Sequence, residues 1–456
     1  MYITTTKSLG NGALHADFLR ARRSLYGKEF LMVNMIDTGN TAWVLLCTAL
    51  VFFMTPGLAL FYGGMARSKN VLGTIMQSFF LIGVISVEFI LLGYTLIFGD
   101  DIYGIIGDFS KFGLGGAETT VLINTHIPEL AFVAFQCMFA VITPAIMSGS
   151  ITGRMRFLPF VIFALLWSVF IYNPMAHWIW GGGFLSNLGA LDFAGGLAIH
   201  VLSGVSGLTL CMLLGRRRGY GRMPMLPHHL PMTILGAAIL WFGWFGFNAG
   251  SALGVGFLAA NAVLTTQISA AVGIVGWVLV EMLHRGKPTV LGAASGGVSG
   301  LVAITPAAGF VTPMAAIVIG FIGAVVCYLA VAIIKNRLGY DDSLDAFGIH
   351  GVGGTWGAIA TGLWATTTVN SEGANGLFYG GSLLGPQLLS LVIAYVFAIV
   401  GTFILFKIVS AFMDMRVSIG SESLGIDISE HGEGAYNQSE FKSSGRFISS
   451  NQTSLL

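Results

Sequence analysis

The chain has little charge. Of its 456 residues only 9% are charged, with 22 Lys and Arg against 21 Asp and Glu, whereas a soluble domain carries roughly 25%. So thin a polar shell cannot coat a water-facing surface of matching size, which excludes a soluble globular enzyme. The formal net charge of +1 leaves no basic excess for nucleic acid. A disordered chain is incompatible with 55% hydrophobic residues. Cysteine is scarce too: Cys47, Cys137, Cys211 and Cys327 stand singly in apolar runs without CxxC spacing. That excludes a disulfide scaffold and predicts buried free thiols. The sequence offers no nucleophile–base constellation, metal cluster or phosphate loop, so neither an enzyme nor a cofactor is expected.

What the chain has is long apolar runs, too long for strands and long enough to span a bilayer. Eleven lie near 41–66, 71–98, 129–148, 157–179, 192–215, 230–250, 258–283, 289–306, 312–334, 345–365 and 386–413. Alternate connections hold Arg67 and Lys69, Arg154 and Arg156, Arg216 to Arg218 with Arg222, Arg285 and Lys287, and Lys335 and Arg337. The tail adds Lys407, Arg416, Lys442 and Arg446, while the opposite connections hold only Lys111. By the positive-inside rule the expectation is an all-α polytopic membrane protein of eleven helices with its N-terminus outside and C-terminus in the cytoplasm. These arginines are read as topology signals, and the glycine-rich 291–300 stretch as helix packing.

Residues 1–36 break the charge pattern with Lys7, Arg20, Arg22, Arg23 and Lys28. They are read as an N-terminal extension, or as untranslated sequence upstream of a start at Met32 or Met35, which we favour. The domain reading then places a membrane domain at 37–413, a cytoplasmic regulatory tail at 414–436 and a disordered Ser-, Asn- and Gln-rich end at 437–456.

Two spans share a pattern. Asp192, His200, Gly204 and Gly207 have the same spacing as Asp342, His350, Gly354 and Gly357. The two spans are five apart, and an odd offset means opposite crossing directions. Helices 1–5 and 6–10 therefore read as an inverted repeat, the architecture of many transporters. Each histidine lies about 12 Å along its helix from the aspartate, in the middle third of a hydrocarbon layer of about 30 Å. Pseudo-symmetry can bring the two face to face, with glycines one turn on permitting close packing. A shared pore-lining role follows.

At these residues the chain resembles the ammonium transporter family (Amt/Mep/Rh), in its bacterial or archaeal form. The resemblance rests on Asp192-Phe-Ala-Gly-Gly-Leu-Ala-Ile-His200 with Ser203 to Leu208, and on Asp345-Ala-Phe-Gly-Ile-His-Gly-Val-Gly-Gly-Thr-Trp-Gly357. Pro56-Gly-Leu-Ala-Leu-Phe-Tyr-Gly-Gly64, Ala176-His-Trp-Ile-Trp-Gly181, Trp244-Phe-Gly-Phe-Asn-Ala-Gly-Ser251 and the segment Leu424 to Tyr436 also match. It implies transmembrane ammonium transport in the cell membrane by a homotrimer with one pore per subunit, and methylammonium as an analogue. Trp180, Phe139 and Ser251 match the outer recruitment site, with Tyr172 lining the vestibule. Phe139 and Phe247 match a stacked phenyl gate, Phe135 supports it, and His200 and His350 match the pore. Unlike some fungal relatives, which carry an acidic residue first, this chain has histidine at both positions.

The implied mechanism is capture of NH4+, deprotonation near the gate and passage of ammonia, since a charge would cross that constriction at high cost. Whether a proton follows separately stays open. Asp192 reads either as a helix cap or as an attractor of cations, with Asp342 and Asp345 as its inner counterparts. Glu88, mid-span, departs from the family; it is either functional or a protonated acid bonded to a neighbouring helix. Trp178 reads as an interfacial anchor. His126, His177, His228, His229 and His284 receive no role. The tail implies a cytoplasmic PII signal-transduction partner, beside membrane lipid. A sensor and a Rh-type gas channel are the competing readings; the short tail and the intact Trp180 and Ser251 weigh against them.

Overall fold

A computed structural model describes residues 36–436; the expectations for 1–35 and 437–456 lie outside them. Eleven helices run through the described residues: α1 (Thr38–Met65), α2 (Val71–Phe98), α3 (Glu129–Ile151), α4 (157–180), α5 (Gly196–Leu214), α6 (Leu230–Gly250), α7 (Phe257–Arg285), α8 (Val290–Ile304), α9 (Pro313–Leu338), α10 (347–364) and α11 (Leu384–Ser410). Nine, all but α8 and α10, are long and apolar enough to cross a membrane. α8 has 15 residues, and α10 is diluted by its glycines, threonines and histidine. Both sit at positions where the sequence predicts spans. The only paired strands among the described residues are a small hairpin, β1 (Asp101–Ile102) and β2 (Ile106–Gly107).

Helices that are apolar on every face need another source of specificity than an apolar stripe, and here small residues supply it. A Cβ on Gly236 would meet the Phe61 backbone, and one on Gly243 would strike Met54, so α1 and α6 lie in close contact. The α7–α8 seam is built the same way, with Gly273 against the Gly296 carbonyl and Gly300 against Ser269. The four cysteines are buried thiols.

The end that carries Arg154, Arg217 and Lys69 is tied by charge. Arg154 and Asp341 are both completely buried, and Arg217 grips the Asp341 carboxylate at 2.6 Å. Arg154 also bonds Ser343 Oγ and the Asp341 carbonyl. Arg154 is therefore more than the topology marker the sequence suggests. Two short helices, α12 (Ile419–Leu424) and α13 (Ile426–His431), lie beneath. Asp427 accepts from the Val71 and Gly73 amides at 3.0 and 2.8 Å, filling orphan donors at the start of α2. Lys69 Nζ donates to the Glu422 and Ser423 carbonyls, and His228 meets the Tyr436 hydroxyl.

Candidate functional site

The two histidine helices open with the same device. The α-helical ladder is replaced by a π turn at Gly196–Val201 and at Phe347–Gly351, each carrying its histidine. Both turns start without intrahelical partners for their first amides, and an aspartate provides them. Asp192 Oδ1 accepts from Gly195 and Gly196 at 2.9 and 2.6 Å; Oδ2 accepts from Leu197 and Ala198 at 2.8 and 3.1 Å. Asp192 thus sits ahead of its helix rather than beginning it. Asp342 caps α10 likewise, accepting from Ala346 and Phe347 at 3.2 and 2.8 Å. Asp345 departs from the expectation: it has a positive φ of 63° and pairs with Lys335 at 2.5 Å instead of capping.

The repeated glycines complete the arrangement. A Cβ on Gly204 would meet the backbone of His350 and Gly351, and one on Gly354 would meet the Gly196 carbonyl and His200 Cβ. Each helix therefore presses its glycine against the other's histidine turn, the reciprocity that an inverted repeat predicts. The outcome is an Nδ1 to Nδ1 distance of 3.1 Å between His200 and His350, with ring centroids 5.2 Å apart. His200 Nε2 is buried without a protein hydrogen-bond partner. One Nδ1 must donate and the other accept. In a neutral pair, one ring then keeps its proton on Nε2 and the other leaves Nε2 bare.

Aromatic rings lead from these histidines toward the C-terminal end of α4. Phe247 lies 6.0 Å from His200, Phe139 lies 4.4 Å from Phe247, and Trp180 lies 6.2 Å from Phe139, edge to face. Trp244 stacks beside His200 at 5.3 Å, its indole held by Thr305. Above the phenyl pair is a vestibule of about 300 Å³ lined by Phe98, Gln136, Phe139, Trp180, Ser251 and neighbouring apolar side chains. Trp180 spends its indole N–H on the Asp192 carbonyl at 2.8 Å, and the Ser251 hydroxyl donates to the Phe247 carbonyl at 2.9 Å. The vestibule thus meets the tryptophan ring and the lone pairs of the serine oxygen. No acidic side chain lines it. Phe135 packs against Phe139 at 4.8 Å.

Tyr172 does not line this vestibule. It is 1% exposed, inside the core, at the end of the π turn Ser168–Tyr172 of α4. Trp178 is also buried rather than anchored at an interface, donating to the Ile105 carbonyl at 2.7 Å. Glu88 accepts from Ser168 Oγ at 3.0 Å and from Asn173 Nδ2 at 2.9 Å, joining α2 to the neighbouring helix away from the ring ladder. Gln136 and Phe98 line the vestibule although no motif in the sequence marks them. No motif assigns His177 a role either, since its partners lie some eighty residues earlier, at the end of α2 and in the hairpin.

At the other end of α5 and α10 is a second cavity of about 420 Å³, bordered by Arg217, Tyr220, Lys335, Ser343 and Asp345. Asp341 beside it is pushed up by burial. The Arg217 hydrogen bonds and the Arg217 and Arg154 charges outweigh that and hold it below the usual carboxylate range.

Residues 42–436 match the model of the Ammonium Transporter Family. The ammonium transporter of Bacillus subtilis is 52% identical over 406 residues, covering 89% of this chain and all of the relative. Ammonium transporter Amt1 of Archaeoglobus fulgidus is 45% identical over 403 residues, covering 88% and 100%. Among solved structures, Saccharomyces cerevisiae Mep2 is similar with a TM-score of 0.81 at 35% identity, covering 90% of this chain and 93% of that one. A structure titled Sensor Amt Protein is similar at 0.80 and 27% identity, covering 88% and 100%. With its apolar helices and a match across nearly all the described residues, the chain belongs to the ammonium transporter family: it is a multi-pass protein of the cell membrane and a transporter rather than an enzyme.

Proposed function

We propose that the chain moves ammonium inward through a pore made by the ring ladder from Trp180 to His350. NH4+ is recruited between the faces of Trp180 and Phe139 and the Ser251 oxygen. Aromatic faces attract cations by about 0.5 to 2 kcal/mol, which alone separates NH4+ from K+ poorly. The hydroxyl adds the distinction, because ammonium donates hydrogen bonds and K+ does not. The phenyl pair Phe139 and Phe247 then excludes charge, since an ion in the bilayer interior costs at least a few kcal/mol. The substrate therefore leaves its proton outside the gate and crosses as ammonia. His200 and His350 receive it as a neutral pair, offering one acceptor and one donor nitrogen to a molecule that can use both. The observation that carries this reading is the His200–His350 contact at the end of a continuous line of rings. Proton movement along the imidazoles would make the transport electrogenic.

The same proposal includes eleven crossings with the N-terminus outside, a homotrimer with one pore per subunit, surrounding lipid, methylammonium as a substrate analogue, and a PII signal-transduction protein docking at 414–436. Asp192 and Asp342 act as caps that fix the histidine turns, and Asp345 as a charge at the inner mouth.

The test is current on a solid-supported membrane bearing proteoliposomes, after an ammonium jump and then an equal K+ jump. Ammonium current that vanishes in His200→Ala, with no K+ response, supports the proposal in its electrogenic form. Internal pH change above that of empty liposomes without current supports neutral conduction. Silence in both favours a sensor, a reading kept for the likeness to the Sensor Amt Protein.

A further inference from the structure

The C-terminal end of α4 carries a histidine outside the pore. His177 is fully buried, and both ring nitrogens face oxygen. Nδ1 lies 2.7 Å from the Ile97 carbonyl and Nε2 lies 2.8 Å from Asp101 Oδ1. A carbonyl oxygen only accepts, and so does an ionised carboxylate. Asp101 stays ionised readily: the bond from His177 holds it below the usual carboxylate range against the cost of burial, helped by the Gly104 amide. A neutral imidazole has a single N–H. Satisfying both oxygens at once requires the imidazolium.

The bond between His177 and Ile97 joins two walls of the vestibule. Ile97 precedes Phe98 at the end of α2, and His177 lies one turn before Trp180 on α4; both Phe98 and Trp180 line the cavity. Asp101 opens the β1–β2 hairpin, which also grips this end of α4 and the segment after it. The Trp178 indole donates to the Ile105 carbonyl, and the Phe184 amide donates to the Gly104 carbonyl at 2.9 Å. The amides of Gly181 and Gly183 both donate to the His177 carbonyl, so a shift of His177 carries the segment beyond Trp180 with it.

Other titratable groups on the packed elements are engaged elsewhere. Tyr94 bonds Glu129, which also pairs with Lys111. Asp108 accepts from the Asp100 and Ser110 amides, and His200 on α5 bonds His350. Among the described residues Asp101 is the charged group in reach of His177.

We propose that His177, as an imidazolium bonded to Ile97 and Asp101 together, is a positioning residue. It holds the Phe98 and Trp180 walls at their working separation, so the vestibule takes ammonium less well once the ring loses its second proton. The inference rests on reading this vestibule as the recruitment site. Both bonds persist where His177 is charged and Asp101 ionised. With a single ring proton, either Ile97 or Asp101 faces a lone pair.

The test uses the full chain in proteoliposomes and methylammonium uptake from pH ~5.5 to ~8.5. In the wild type the half-saturation concentration should rise about three- to tenfold across that span, as expected for losing one charge-assisted bond. Asp101→Asn should flatten the profile and leave acid-side affinity within about twofold, because an asparagine amide can donate to Nε2 of a neutral ring. Imidazole ¹⁵N spectra, with His177→Gln assigning the signal, should show both nitrogens protonated at acid pH in the wild type. The same profile in wild type and Asp101→Asn, or a singly protonated His177 at acid pH, overturns the proposal. If the chain takes up no methylammonium, the recruitment reading fails by itself. The tie is then judged by hydrogen exchange at Gly181 and Gly183: protection falling with pH in the wild type alone supports it, and equal protection in both refutes it.

Discussion

Replacing Asp192 separates capping from cation attraction. The residue is 6% exposed, and its carboxylate accepts the Gly195, Gly196, Leu197 and Ala198 amides at 2.6 to 3.1 Å, the donors that open the turn bearing His200. Alanine removes every acceptor. At about 1 kcal/mol for each orphaned donor the loss reaches about 3 to 4 kcal/mol, above the ~1 kcal/mol of an ordinary cap. Asparagine keeps one oxygen for one pair of amides and points N–H against the other pair, so it should lose about 2 to 3 kcal/mol despite its matching shape. Thermal unfolding in detergent and ammonium current are the assays. Asp192→Ala and Asp192→Asn should both unfold earlier and carry little or no current. Their deficits should be indifferent to salt, because the lost contacts are buried. An attractor of cations acts over distances that salt screens within about 10 Å at 0.1 M. Wild-type unfolding of Asp192→Ala, or deficits that disappear as salt is raised, would refute the capping argument.

Glu88→Gln should cost under about 1 kcal/mol, since an amide can serve both Asn173 and Ser168; Glu88→Leu should cost about 2 to 4 kcal/mol by stranding them. Thermal denaturation checks the order, and a folded but inactive Glu88→Gln would show that ionisation of this group matters. Gly354→Ala places a methyl against the Gly196 carbonyl and His200 Cβ; overpacking of about 1 to 3 kcal/mol should reduce current more than expression, and unchanged current would contradict the close approach. Asp341 has a lowered folded pKa, so its stabilisation is present above its unfolded value of about 3.9 and lost as pH falls through the folded one. Unfolding temperature in acid should trace that loss in the wild type and not in Asp341→Asn. At neutral pH that variant should be weaker by about 3 to 5 kcal/mol, with Arg154 left buried beside no counter-charge.

Much of the site was legible because its elements are local or repeated. Two identical spacings place His200 and His350 at equivalent depth, and the glycines one turn on announce close packing. Asp192 and Asp342 were readable as caps because a carboxylate a few residues before a helix has an evident use. Asp345 was misread from the same pattern, because Lys335, on the preceding helix, claims its carboxylate. Tyr172 was misread because facing depends on helical phase. The π turns in α2 and α4 add a residue per turn, and no pattern in the sequence marks them.

Composition and period alone set the class of the molecule and its plan. Too few charges for a water-coated surface, apolar runs of bilayer length, basic residues on alternate connections and one repeated histidine motif leave little other than a polytopic transporter with an inverted repeat. These are properties of composition and period, which need no coordinates. The tertiary structure decided which side chains meet: the ring ladder drawn from α3, α4, α5, α6 and α10, the buried Arg154–Asp341–Arg217 cluster, and the tie between His177 and a hairpin some eighty residues earlier. Such contacts depend on packing angle and helical phase, which accumulate over many small-residue interfaces and are fixed only when all the helices pack together.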